Sequence, residues 1–259
     1  MSLWRLERVR VVLRPDETLL LRTGAARGSA LRSQSLAPLD EPEGPERFAE
    51  ALASPEWRAR ALDIVISNAL VRFVVTDPPG ASLSQLEERA LASARLIAIH
   101  GGTPQDWRLA VQSQPSDEGV FAAAIATPLF DAVQAAAARA GIPRFRLRPM
   151  LTAAEGRAAR RLSSGWWVLV EPGWWCLLEA NKGAWRQIVG EPCPEDWPNH
   201  LALRLERATR AAGRAASPLP IRVQAIGTPL PDRVAYPPGW AGERVLPKKD
   251  GDAWDWERF

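Results

Sequence analysis

Gly165-Trp-Trp-Val-Leu-Val-Glu171-Pro-Gly173-Trp-Trp-Cys-Leu-Leu-Glu179-Ala-Asn-Lys-Gly183-Ala-Trp-Arg-Gln-Ile-Val-Gly190 is the stretch whose reading decides the fold. Trp166 to Val170 is a continuous apolar run of strand length, the pattern of a strand buried on both faces. Pro172 presets φ for a turn, and Gly173 supplies the positive φ of the next turn position. Trp175 to Leu178 reads as the return strand. Asn181-Lys182-Gly183 is a second turn signal, after which Trp185, Gln187 and Val189 alternate with Arg186 and Ile188 as in a half-buried strand. Antiparallel strands this apolar are marginal alone, so the helical segments on either side are expected to cover them.

With 259 residues, 46% of them hydrophobic and 24% charged, the chain is long enough for one or two packed domains. No apolar run reaches the roughly 18 to 20 residues of a membrane helix, and Arg5, Glu7, Arg8 and Arg10 stand where a secretory leader has its apolar core. A cytoplasmic protein is therefore expected. Cys176 lies in the apolar strand and is expected to be a small buried thiol; Cys193 is the only other cysteine. His100 and His200 are the only histidines, with no C-x-x-C or H-x-x-x-H spacing, so neither a zinc site nor a Ser-His-Asp centre is expected. The net charge of +3 rests on arginine, because Lys182, Lys248 and Lys249 are the only lysines. Arginine is spread over the helices without a continuous block, a weak basis for nucleic-acid binding.

Outward from the central strands, Arg8 to Leu13 and Thr18 to Arg22 form a hairpin around Arg14-Pro15-Asp16-Glu17, and residues 24 to 45 read as a loop. A short helix from Pro45 to about Trp57 precedes a second strand pair, Leu62 to Ser67 and Val71 to Thr76. Ser84 and Glu87 fit a capping box, and Leu83, Leu86, Ala90, Ala94 and Ile97 recur on what should be the buried face of a helix that Gly101-Gly102 ends. Trp107 to Gln112 and Val120 to Ala126 make a third pair around Pro115-Ser116-Asp117-Glu118. Thr127 is the N-cap and Pro128 the first residue of a helix stopped by Gly141. Arg144 to Leu147 is a short strand, and Thr152 with Glu155 is a capping box opening a helix to about Leu162.

Beyond the central strands, a helix runs from about Asn199 to Ala212. Leu201, Leu205, Ala208 and Ala212 lie on one side, and Arg204, Arg207, Arg210 and Arg214 on the other, either as a solvated face or as a partner-binding surface. Ile221 to Ile226 is the last strand expected. From Gly227 the chain is rich in Pro, Gly and charge, and is expected to bury little. Its end carries Trp254, Trp256 and Phe259 among acidic residues, which is either a disordered terminus or a peptide that docks in a basic groove. The order of elements gives an α/β protein with mixed sheets.

Ile64-Val-Ile-Ser-Asn68-Ala-Leu-Val-Arg72-Phe73, then Pro78 and a Leu-Glu-Glu helix, and later Ala140-Gly141-Ile142 with Arg148-Pro149 beyond, resemble a known family. The pattern is similar to the actin-like type IV pilus assembly proteins, PilM, and to the cytoplasmic domain of their type II secretion counterpart, GspL. The likeness spans about residues 5 to 226 in element order and short patterns. It implies a two-lobed actin-like (ribonuclease H-like) fold with a degenerate second lobe: 1–150 as the first lobe with an inserted subdomain, 151–226 as the second, and 227–259 as a Pro-rich, acidic-aromatic tail. It also implies an adaptor, peripheral at the inner membrane, between membrane-anchored subunits and an assembly motor.

Actin-like ATPases hold nucleotide phosphates on the backbone N–H groups of two hairpin turns, each with an acidic residue and glycine. Here the second turn is Glu171-Pro172-Gly173-Trp174, with Glu171 and Gly173 as a remnant of the pattern and bulky Trp174-Trp175 where small residues are expected. The first turn, Arg14-Pro15-Asp16-Glu17, lacks glycine. No lysine precedes Lys182, Ile226-Gly227-Thr228-Pro229 stands where a Gly-Gly adenosine signature would be, and no P-loop is present. Three readings follow: a non-catalytic adaptor without cofactor, an active ATPase using ATP and magnesium, and an arginine-and-aromatic nucleic-acid binder. The twelve tryptophans prompt the third, although Trp166, Trp167, Trp174, Trp175 and Trp185 are expected in the core.

Overall fold

A computed structural model describes residues 8–22, 32–115, 118–158, 162–213 and 218–245. In chain order the first elements are β1 (Arg8–Leu13), β2 (Thr18–Arg22), β3 (Arg32–Leu36), α1 (Gly44–Ala53), β4 (Ala61–Ile66), β5 (Arg72–Val75) and α2 (Gln85–His100). Then come β6 (Trp107–Ser113), β7 (Val120–Ala126), α3 (Thr127–Arg139), β8 (Phe145–Pro149) and α4 (Met150–Ala158). The last are β9 (Gly165–Glu171), β10 (Trp174–Asn181), β11 (Ala184–Pro192), α5 (Trp197–Ala211), β12 (Ile221–Ala225) and β13 (Gly242–Arg244). They fall into two compact units, one of Met1–Val71, Gln105–Arg108 and Ile125–Ala153, the other of Arg72–Pro104, Leu109–Ala124 and Ala154–Phe259.

The first unit holds a five-stranded sheet in the order β3-β2-β1-β4-β8. β1, β2 and β3 are antiparallel neighbours, while β4 and β8 run parallel to β1. Val9, Val11 and Leu13 with Leu62, Ile64 and Ile66 are buried on one face, and α1 and α3 pack on each other. β3 lies where a loop is expected: Arg32-Ser-Gln-Ser-Leu36 is an exposed, polar edge strand, so no hydrophobic alternation marks it.

Two further expectations fail in this region. β4 and β5 are not a pair: β4 lies parallel to β1 and β8, and β5 pairs with β7 in another sheet. A 3-10 turn, Asn68–Leu70, capped by the Ser67 hydroxyl, separates them, and partners so distant in sequence leave no local signal. Thr127 and Thr152 are not caps either. The Thr127 hydroxyl donates to the Gln105 carbonyl (2.7 Å) and that of Thr152 to the Pro149 carbonyl (2.9 Å). The α4 N-terminus is capped instead by Asn68, whose buried Oδ1 accepts from the Leu151 N–H at 3.0 Å.

The second unit repeats the sheet: β11-β10-β9-β12-β13, an antiparallel meander followed by two parallel strands. Trp166, Val168 and Val170 of β9 join Trp175 and Leu177 of β10 and Ile221, Val223 and Ala225 of β12 in one core, covered by Trp197, Leu201, Leu205 and Ala208 of α5. The opposite side of β9 is buried as well, with Trp167 stacked on Trp185 at 6.0 Å between centroids. The segment after Gly227 is not idle. Trp240 is buried in this core, Leu230, Val234 and Tyr236 pack against it, and β13 adds the fifth strand. Pro-rich coil, with no helix among its described residues, connects β12 to β13.

A three-stranded sheet, β5-β7-β6, carries α2. The Ser84–Glu87 capping box forms as expected. The buried face does not: Ala92 and Leu96 are buried, whereas Leu86 is 80% exposed and Ala90 and Ala94 face solvent.

Candidate functional site

The hairpin turns after β1 and after β9 are the places where this architecture would hold a phosphate. At the first, the Arg14 N–H donates to the Glu17 carbonyl at 2.9 Å and closes the turn. The Arg14 guanidinium donates to Glu17 Oε1 at 2.6 Å and to Asp16 Oδ2 at 3.0 Å, and the Ser35 hydroxyl donates to Glu17 Oε2 at 2.7 Å. One cation thus binds both carboxylates. Pro15 has no N–H to give, and Lys182 is the only non-glycine with positive φ among the described residues, so this turn forms no concave nest of amides. Its residues do not fit a magnesium nucleotide.

At the second turn, Gly173 has φ +70°, as the turn requires, and a Cβ there would meet nothing within 4 Å. The glycine serves backbone conformation, and its carbonyl accepts from the Cys193 N–H at 3.0 Å. Glu171, the last residue of β9, is 2% exposed. Trp174 covers β11, its Nε1 being 3.4 Å from where a Cβ at Gly190 would lie. Burial pushes the Cys176 thiol well above its ordinary range; the Glu171 charge adds to the rise and the neighbouring Trp174 indole opposes it. A carboxylate this buried has almost no contact with solvent water.

The α5 arginines differ from one another. Arg204 Nε and Nη2 both donate to the Glu191 carboxylate, which also accepts from Trp175 Nε1 at 3.0 Å, so Arg204 ties α5 to β10 and β11. Arg210 pairs with Glu206 at 3.0 Å in solvent, and Arg207 is exposed. Arg214, Trp254, Trp256 and Phe259 lie outside the described residues.

Gln114 has no signal in the sequence, yet its amide caps the edge of β11: Nε2 donates to the Trp185 carbonyl at 2.9 Å and Oε1 accepts from the Trp185 N–H at 2.6 Å. Arg186 beside it pairs with Glu118. Only the fold brings these residues, 71 apart, together. Among the described residues no three His, Cys, Asp or Glu side chains gather as metal ligands, and no helix is long and apolar enough to cross a membrane.

Two units with the same meander-plus-parallel sheet order define the class: an actin-like α/β fold. The cytoplasmic domain of EpsL, an inner membrane component of the type II secretion system of Vibrio cholerae, is similar with TM-score 0.58 and 17% identity over 93% of this chain and 90% of that one. A PilM–PilN type IV pilus biogenesis complex matches with TM-score 0.57 and 15% identity, covering 85% of this chain and 82% of that chain. A protein of actin-like ATPase fold from Bacteroides thetaiotaomicron matches with TM-score 0.54 and 9% identity over 86% and 85% of the two chains. No protein-family model and no curated protein matches the sequence.

Proposed function

We propose that the chain is a non-catalytic cytoplasmic adaptor of a type IV pilus or type II secretion-like assembly, binding a short segment of a membrane-anchored partner. The observation that carries this reading is the pair of altered turns on an actin-like fold whose similar structures include components of those machines. Arg14 pairs with both carboxylates of one turn, and Glu171 at the other is buried. Loss of phosphate chemistry with retention of the fold leaves recognition as the remaining use of the surface. β3, polar and at the end of its sheet order, offers backbone N–H and carbonyl groups to an added strand, where main-chain pairing supplies affinity and alternate side chains supply register.

Calorimetric titration with Mg-ATP tests the first half of this reading; no heat of binding up to millimolar nucleotide is expected, and saturable micromolar binding would restore the ATPase reading that Glu171 and Gly173 suggest. Affinity purification of the chain from its native membranes tests the second half. Recovery of a membrane-anchored subunit of a pilus or secretion machine is expected, and its consistent absence would end the adaptor reading.

A further inference from the structure

The sheet of the first unit has two unlike faces. Val11 and Ile64 are buried on one, and alternation along the strands sends Arg8 and Arg10 of β1, Asp63 of β4, and Arg146 and Arg148 of β8 to the other. Register sets these side by side, because Arg10 is the partner of Asp63 and Asp63 that of Arg146 in neighbouring parallel strands. With strands about 4.8 Å apart and alternate residues about 6.6 Å apart along each, the four arginines rise from an area of roughly 10 by 13 Å. Asp63 is the one carboxylate among the strand residues described on this face, and its Oδ2 serves two cations, Arg148 at 3.2 Å and Arg10 at 3.6 Å. Arg8 and Arg146 are exposed, and neither forms an ion pair with another described residue. Burial lowers the Arg10 guanidinium from its ordinary value; Asp63 opposes the fall and the charge of Arg148 adds to it.

We propose that this arginine face of the first sheet binds an acidic segment of a protein partner, whose side-chain carboxylates join Asp63 among the four guanidiniums. Charge complementarity is the reason: four cations stand around one anion, and an added carboxylate relieves their mutual repulsion. A guanidinium fork matches a carboxylate, donating two parallel N–H groups to its two oxygens. Carboxylates on alternate residues of an extended segment stand about 7 Å apart, close to the spacing of the arginines along the strands. Depth selects a peptide over other polyanions. The Arg10 and Arg148 side chains are only 26% and 22% exposed, so a side chain that reaches down meets them, whereas a flat layer of lipid headgroups meets Arg8 and Arg146 alone. Neither β3 nor the phosphate turns take part, so the site stands whether or not the adaptor reading holds.

Fluorescence anisotropy of labelled hexaglutamate with the full chain tests the proposal. Saturable binding that weakens as salt rises is expected. Arg8→Glu combined with Arg146→Glu should weaken it about tenfold, since two surface attractions become repulsions. Arg95→Glu combined with Arg139→Glu makes the same change of net charge at exposed helix positions elsewhere, and should alter binding by less than about twofold. Asp63→Asn should tighten binding several-fold, because Arg10 and Arg148 lose their competing carboxylate. Circular dichroism checks that each variant remains folded. A parent that does not bind hexaglutamate overturns the proposal; so do equal losses in the two double arginine variants, or weaker binding by a folded Asp63→Asn. Phosphatidylglycerol vesicles or single-stranded DNA that bind through Arg8 and Arg146 more tightly than hexaglutamate would overturn it too, and assign the face to a membrane or a nucleic acid.

Discussion

Arg14 holds Asp16 and Glu17 by hydrogen-bonded ion pairs at 3.0 and 2.6 Å, at a position where the architecture would place phosphate. Arg14→Ala leaves two carboxylates adjacent without their cation, and a loss of about 1 kcal/mol is expected for a pair this near the surface. Urea denaturation measures it, and the difference should shrink in high salt as screening removes the repulsion. Cys193 carries a second prediction, on pH. Burial, with the Glu191 charge adding to it, pushes its thiol up to about 12. At pH 8.5 the thiolate is therefore scarce, and alkylation should be roughly several hundred-fold slower than in the denatured chain. The folded state holds this proton longer than the unfolded one, so the contribution to stability is intact below about pH 9 and is lost as pH rises towards 12. Of these features, the turn at Gly173 was legible in the sequence because one residue's φ decides it. The buried side chain of Glu171 was not legible, because its position depends on what the sheet leaves in front of it.

At the scale of elements, caps show how far local pattern reaches. Ser84 and Glu87 are neighbours along one helix, and their reciprocal hydrogen bonds follow from spacing alone. The α4 cap does not. Thr152 and Glu155 have the pattern, yet Thr152 lies inside the helix, and Asn68, 83 residues before Leu151, supplies the acceptor. Asn68→Ala should cost about 1 to 3 kcal/mol, since it strands a buried N–H, whereas Thr152→Ala should cost under about 1 kcal/mol. Guanidinium denaturation of the two variants compares them, and equal losses would mean that Asn68 is not the cap. The phase of α2 follows the same rule: two apolar stripes share one helical period, and docking on β5 buries Ala92 and Leu96 rather than Leu86 and Ala90.

For the whole molecule, the prediction concerns ligand linkage. A nucleotide that binds only the native state raises the thermal midpoint, by an amount equivalent to about 2.7 kcal/mol at a hundredfold excess over its Kd. Millimolar Mg-ATP is expected to leave the midpoint unchanged, read by differential scanning fluorimetry. The sequence by itself determined the three central strands, their turns, the period of most helices and the α/β class, because φ preferences and apolar spacing act over a few residues. Tertiary structure alone decided that β4 and β5 separate into different sheets, that a polar β3 completes one sheet and the Pro-rich segment supplies β13 to the other. It also decided that Gln114 closes the edge at Trp185. These are pairings between residues far apart in sequence, whose energies arise only once the chain has brought complementary hydrogen-bonding groups and apolar surfaces into contact.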